Sequence, residues 1–339
     1  MRTQSQSNSP MFPLGTSELF GDTISGIDGY KMQNGFLVAT ASWDKTCKAF
    51  FVTSPTNIQG ASQVTATTPI TCLTKMQNNL FAYGTAGGAV EVWSVEKNQK
   101  QQVSQHQSCV TSIKFIASLG ALITSSLDGT IMLTELNSGK STKMPVAGPV
   151  VAMDQFEELT TYSTPGRIEV FNIQAGKPMT ETLVGGSQSK INVSVQSMKM
   201  FPDKAGLVYG GNDGRANVIN FTNRSNQYTY AFKAQHKRIS KDVCNYFPVN
   251  SISFFNKDVF LTAGSDGTIN IWDRVKKSFV NSLGSPVQGA SITTADFIWD
   301  GAFLGYSVGY DWVKGVEGTL PPQQQLPVLK VVDEPLIKS

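Results

Sequence analysis

Two histidines, four cysteines and two short runs of cations are the residues whose types and spacing bear on chemistry. His106 and His236 are the only imidazoles in 339 residues, so a His-rich metal site is excluded and a Ser-His-Asp relay would have to draw on one of those two. Cys47, Cys72, Cys109 and Cys244 lie far apart with no Cys-x-x-Cys pair, which fits a reduced intracellular chain better than a disulfide framework. Ala86-Gly87-Gly88-Ala89 is followed by no helix pattern and reads as a turn, not a phosphate cradle. Lys237, Arg238 and Lys241 form one basic loop and Arg274-Val275-Lys276-Lys277 a second. Such loops pair carboxylates or orient phosphates through charge-assisted hydrogen bonds. The expectation is a protein that binds, with no catalysis, no metal and no cofactor.

The elements that must carry these residues repeat along the chain. Leu261-Thr262-Ala263-Gly264-Ser265-Asp266-Gly267-Thr268-Ile269-Asn270-Ile271-Trp272-Asp273 reads as a β-hairpin. Apolar positions alternate on both sides, Asp266-Gly267 supplies the left-handed turn conformations, and Trp272 closes the second strand. Equivalent turns fall at positions 44, 87, 128, 165, 213, 266 and about 310, a spacing near the roughly 40–45 residues of a four-stranded propeller blade. Asp213 holds the turn of the fifth unit. Most hairpins are preceded by a further apolar run, such as Ile70 to Leu73, Val110 to Phe115 and Val249 to Phe255, which reads as an inner strand. Small residues in the second strands suit sheets crowded around a central channel. The fold expected is all-β, a seven-bladed β-propeller. Carboxylates converging in its channel would be the sign of hydrolytic chemistry.

Composition agrees with a packed chain: 40% of residues are hydrophobic and 16% charged, outside the range of disordered sequences. The net charge of +3 is too mild to mark a dedicated nucleic-acid binder, so any basic surface must be local. Residues 1–17 read as a flexible polar N-terminal arm without a signal-peptide core, and residues 18–339 as the propeller, closed by a C-terminal strand. No run approaches the roughly 18 apolar residues that span a bilayer, so no membrane insertion is expected.

These units resemble WD repeats, with Asp266-Gly267 to Trp272-Asp273 as the best single match. In that pattern a His ahead of the inner strand meets the turn Asp, and His106 with Asp128 is the clear candidate pair. Most other blades lack the His, so their stability is expected to lean on apolar packing. A finer resemblance lies in Phe232-Lys233-Ala234-Gln235-His236-Lys237-Arg238 and Tyr246-Phe247-Pro248-Val249-Asn250-Ser251-Ile252-Ser253-Phe254. Both are similar to segments flanking the sixth blade of the nucleoporin-docking messenger-RNA export factors (the Rae/Gle family) and their mitotic-checkpoint (Bub) sisters. Gly309-Tyr310-Asp311-Trp312-Val313-Lys314-Gly315-Val316-Glu317 is similar to the export-factor continuation and unlike the checkpoint one. Val328 to Lys338 looks like the export-factor tail, which supplies an outer strand to the last blade. One departure is that Lys190-Ile191-Asn192-Val193-Ser194-Val195 has no Arg where the branch usually carries one to meet an acidic partner.

The resemblance implies an interaction scaffold that docks an acidic, GLEBS-type nucleoporin segment at the nuclear pore and supports messenger-RNA export. It also implies a nuclear and pore location with shuttling to the cytoplasm, and a monomeric propeller within a heteromeric complex. Arg238, Lys237, Arg215 and Trp43 are the expected partner-peptide contacts. Lys241, Arg274, Lys276 and Lys277 are the expected contacts to single-stranded RNA, and His106, Asp128, Asp213, Asp266 and Trp272 the structural set. The alternatives are a spindle-checkpoint propeller that binds kinetochore kinases and an unrelated WD-repeat scaffold.

Overall fold

The structure is a computed structural model that describes residues 10–14, 20–54, 56–173, 181–184, 194–221, 230–298, 301–313 and 325–337. Seven four-stranded antiparallel sheets are formed, and each inner strand contacts the inner strands of its two neighbours in a closed circuit. Blades 1 to 6 run consecutively from inner to outer strand. They begin at Ile24–Met32, Ile70–Lys75, Val110–Ile116, Ala152–Phe156, Val195–Met200 and Val249–Phe254. The predicted seven-bladed propeller is observed.

Blade 7 is built from Ser291–Ile298, Phe303–Gly309, Leu326–Val331 and, on its outside, Met11–Pro13. The C-terminal strand expected to lie outermost is therefore third, and the outer edge comes from the stretch read as a flexible polar arm. Phe12 and Leu14 explain the difference: both are buried, Phe12 packs edge-on against Phe303 at 6.1 Å, and Leu14 N–H donates to Pro327 O at 2.9 Å. The rest of residues 1–17 lies outside the described residues.

Burial follows from the alternation of the strands. Among the described residues seven hydrophobic clusters occur, one at each seam between adjacent blades. The core is thus a ring of interfaces between sheets, and each blade buries its apolar faces only because both neighbours are present.

The seams are also laced. Six inner strands begin with a register shift that leaves one bulged residue, and a bulge re-aims the side chain it carries. Ser25, Thr71, Thr111, Asn250 and Thr293, all bulged, donate to Ile70 O, Val110 O, Val150 O, Ile292 O and Ile24 O of the following blade at 2.6, 2.6, 2.9, 3.0 and 2.8 Å. Ser197 does the same to Val249 O at 2.8 Å.

Turn chemistry repeats from blade 1 to blade 6. The second and third strands are joined through a residue in the left-handed region, Lys45, Gly88, Gly129, Gly166, Gly214 or Gly267. Asp266 itself is not left-handed, so the hairpin is a type I turn closed by one left-handed residue. That geometry frees the Asp side chain to cap the strand that follows. Asp44, Asp128 and Asp266 each accept from the backbone N–H and hydroxyl of Thr46, Thr130 and Thr268.

The second-to-third turns and the outer-to-inner connections between blades emerge at one end, the upper face. The inner-to-second and third-to-outer turns emerge at the other, the lower face.

Candidate functional site

The upper face gathers most of the exposed large hydrophobic residues among those described. Of ten exposed large hydrophobic residues among those described, Trp43, Leu127, Ile239, Val243, Tyr246, Trp312 and Val313 lie there. Trp43 sits on the blade 1 turn, its N–H bonded to Thr23 O at 2.8 Å. Beside it, Asp44 accepts from Gly21 N–H at 3.0 Å. Trp312 follows Tyr310-Asp311 in the blade 7 loop. Thr23 Oγ1 donates to Tyr310 O at 2.5 Å. Asp311 Oδ2 accepts from Asn250 Nδ2 at 2.9 Å and from Ser265 Oγ. Tyr310-Asp311 thus ties blade 7 to blades 1 and 6, and Trp312, at φ 62°, is carried on that tie. Trp43 and Trp312 border one cavity of about 500 Å³ at the channel mouth.

Lys237, Arg238 and Lys241 occur on a hairpin inserted between blades 5 and 6, where His236–Arg238 pairs with Cys244–Tyr246. All three cations are exposed. Arg215 opens the third strand of blade 5. It is half exposed and lies 3.7 Å from Asp213, whose carboxylate accepts from Arg215 N–H at 3.1 Å. Arg167 opens the third strand of blade 4 in the same position and is exposed. Blades 4 to 6 therefore carry a basic sector, and blades 7 and 1 an aromatic one. Sequence reasoning named Trp43 and missed Trp312 and Arg167. The signal for Arg167 was its place after Pro165-Gly166, matching Arg215 after Asp213-Gly214.

The residues expected to contact nucleic acid do not form one surface. Lys241 is on the upper face, while Arg274, Lys276 and Lys277 are on the third-to-outer turn of blade 6, on the lower face. Arg274 is also engaged internally. Its guanidinium stacks over Phe201 at 4.2 Å and pairs with Asp203 and Asp258, because this turn leans on the inner turn of blade 5. Lys276 remains exposed 3.6 Å from Asp273, and Lys277 lies over the Tyr230 ring at 5.1 Å.

His106 is buried. Its Nδ1 is 3.2 Å from Asp128 and 3.1 Å from Thr130, and its Nε2 is 2.8 Å from Thr124. Burial pushes its pKa below the ordinary imidazole value, against the pull of Asp128. Blade 6 uses Gln235 in that place. Fully buried, Gln235 accepts from Asn270 and Thr268, while His236, one residue on, is exposed and stacks on Tyr246. Asp266 is pushed up by burial despite its bonds to Thr268, and Trp272 Nε1 donates to Thr262 at 2.9 Å. Blades 2 and 4 carry a third solution, a buried Tyr83–Glu91 and Tyr162–Glu169 bond at equivalent positions. Blades 2, 4 and 6, which lack the His, thus carry buried polar contacts beside their apolar packing.

Three carboxylates lie on inner strands, and each bonds a residue of a neighbouring blade. Asp28 accepts from Lys75 N–H at 2.9 Å. Asp154 accepts from Met200 N–H at 2.8 Å and faces Lys114 and Lys199 at 3.4 and 3.9 Å. Asp296 accepts from Ser253. Burial would lower Lys199, yet Asp154, Asp296 and Asp28 together raise it, so its ammonium is held as their counter-charge. Residues 190–193, where the export-factor branch carries an Arg, and residues 314–317 lie outside the described residues.

The profile of the WD domain, G-beta repeat, matches residues 97–134 and 241–273. The chain is 27% identical to the WD40 repeat protein poxJ of Penicillium oxalicum, over 92% of this chain and 91% of that one. It is 28% identical to the mRNA export factor GLE2 of Chaetomium thermophilum, over 83% and 79%. To the mitotic checkpoint protein bub-3 of Caenorhabditis elegans it is 22% identical, over 91% of each. The solved structure of U3-55K superposes with a TM-score of 0.76 over 95% of this chain and 98% of that one at 13% identity, a likeness of fold. The chain is a seven-bladed propeller that contains WD40 repeats in blades 3 and 6, and it is similar over most of its length to proteins named as mRNA export factors and a checkpoint protein.

Proposed function

We propose that this propeller is a non-enzymatic scaffold for messenger-RNA export that docks an acidic, GLEBS-type nucleoporin segment on its upper face at the nuclear pore. The observation that carries this reading is the concentration of exposed apolar residues on that face, beside the cations Arg167, Arg215, Lys237, Arg238 and Lys241. An extended acidic segment gains charge-assisted hydrogen bonds there while its apolar residues cover exposed rings. The names of the relatives support the export role. RNA contact is assigned to Lys276 and Lys277 on the opposite face, so that nucleoporin and RNA are held at once. The likeness to bub-3 supports a second reading, a checkpoint propeller that holds the same kind of segment from a kinase.

The test is capture of two purified acidic GLEBS-type peptides, one from a nucleoporin and one from a checkpoint kinase, by the wild-type propeller and by Arg238→Glu. Preferential capture of the nucleoporin peptide is expected. The charge reversal should weaken it at least about tenfold, the loss of one charge-assisted contact. Preference for the kinase peptide transfers the protein to the checkpoint reading, and capture of neither removes acidic-peptide docking.

A further inference from the structure

We propose that the channel mouth between blades 7 and 1 is a subsite for a cationic side chain, a lysine or arginine, carried by the partner segment. The proposal rests on upper-face docking and adds a second, oppositely charged anchor to it. The cavity of about 500 Å³ is bordered by Trp43 and Trp312, and its only ionisable lining groups among the described residues are the carboxylates of Asp22 and Asp311. Thr23, Ser25, Thr293, Asn250 and Gln196 supply the remaining polar lining.

Both indoles are large and substantially exposed, at 43% and 50%, yet their backbones are fixed. Trp43 is tied through its N–H to Thr23. Trp312 follows the anchored Asp311 and packs on Tyr310 with ring centroids 5.6 Å apart. Asp22 Oδ1 accepts from Thr23 N–H at 2.7 Å, which orients the carboxylate. A cation over an indole face is attracted by the ring quadrupole, and a neighbouring carboxylate adds to that attraction. An acidic side chain would meet two like charges. An apolar one would strip water from both carboxylates without replacing it. The basic sector of blades 4 to 6 has the opposite preference, so the fitting segment is acidic where it crosses those blades and carries a basic residue where it reaches the mouth.

The test uses single residues and needs no partner. Free propeller with labelled indoles is titrated at millimolar concentrations with the N-acetyl amides of arginine, lysine, trimethyllysine, norleucine and glutamate, and the Trp43 and Trp312 indole resonances are followed by NMR. Saturable shifts of both indoles with the cationic amides are expected, weakened about fivefold by Asp22→Asn and absent with norleucine and glutamate. Stronger binding of trimethyllysine than of lysine would assign the source as a methylated residue. Equal response to norleucine, insensitivity to Asp22→Asn in a variant with unchanged melting, or no shift of either indole would each overturn the proposal. Because acidic-peptide capture is read separately, loss of one result leaves the other standing.

Discussion

Val151 stands where Ser25, Thr71, Thr111, Asn250 and Thr293 stand in other blades, and it can donate nothing across the seam. The consequence is local. Ser163 Oγ is buried without a partner, whereas its counterparts Ser125 and Ser307 bond Thr111 and Thr293. Val151→Thr should supply Ser163 with a partner and lace blade 4 to blade 5. One made hydrogen bond and one relieved orphan are together worth about 1 kcal/mol. For a chain of this size that is a rise of about 1–2 °C in melting temperature, measured by scanning calorimetry; an unchanged or lower value would refute the account. The lacing residues were in plain view as Ile-Ser, Ile-Thr and Val-Thr pairs, but hydroxyls are ordinary in strands and only the ring shows where they aim. Gln235 was hidden for another reason. His236 is the histidine of the segment that resembles the export factors, but the side chain that turns inward is one residue earlier, in the bend between Tyr230–Lys233 and His236–Arg238.

At the scale of the blade, one architectural task is met by three chemistries: His–Asp–Thr in blade 3, Gln–Asn–Thr in blade 6 and Tyr–Glu in blades 2 and 4. Only the first contains an imidazole. His106 is held neutral by burial, so its folded pKa lies below its unfolded value of roughly 6.5. Its contribution is complete above that value and is lost as the pH falls through the depressed folded value, where the unfolded chain takes up the proton first. Burial works against the low pKa of Asp128, but Thr130, Gln107 and His106 hold it below the usual carboxylate value. Its own contribution is therefore lost only at more acid pH. His106→Gln, borrowing the blade 6 solution, should flatten the dependence of melting temperature on pH as the pH falls below about 6.5, relative to the wild type. Parallel profiles would show that His106 is not the group responsible. The turns were legible at this scale, since Asp44-Lys45-Thr46, Asp128-Gly129-Thr130 and Asp266-Gly267-Thr268 announce the cap. The inserted hairpin was visible only as a basic loop, because its pairing rests on three residues a side.

The whole molecule is one ring, and its closure was the least legible feature. Met11–Pro13 is short, contains a proline and follows a polar stretch. Proline is tolerated because the strand is an edge. Phe12→Ala should cost about 3–5 kcal/mol, the usual range for a buried aromatic ring, and should lower the melting temperature in a single transition, since every blade depends on two neighbours. A small effect, or an early separate step, would mean that the outer strand frays independently.

Joining the two ends in one sheet also sets an order on biosynthesis. Thr23 and Tyr310, 287 residues apart in sequence, meet across that joint. On the ribosome Met11–Pro13 emerges early and has no partner until Leu326–Val331 follows. Blades 1 to 6 can stack as they are made, but the gap between first and last must stay open, with the faces of blades 1 and 6 unclosed, until Leu326–Val331 has been made. The two indoles of the channel mouth come from opposite sides of that gap. A nascent or truncated chain therefore lacks the cationic subsite even where its basic sector is already folded, and only a closed ring can hold a segment at both anchors.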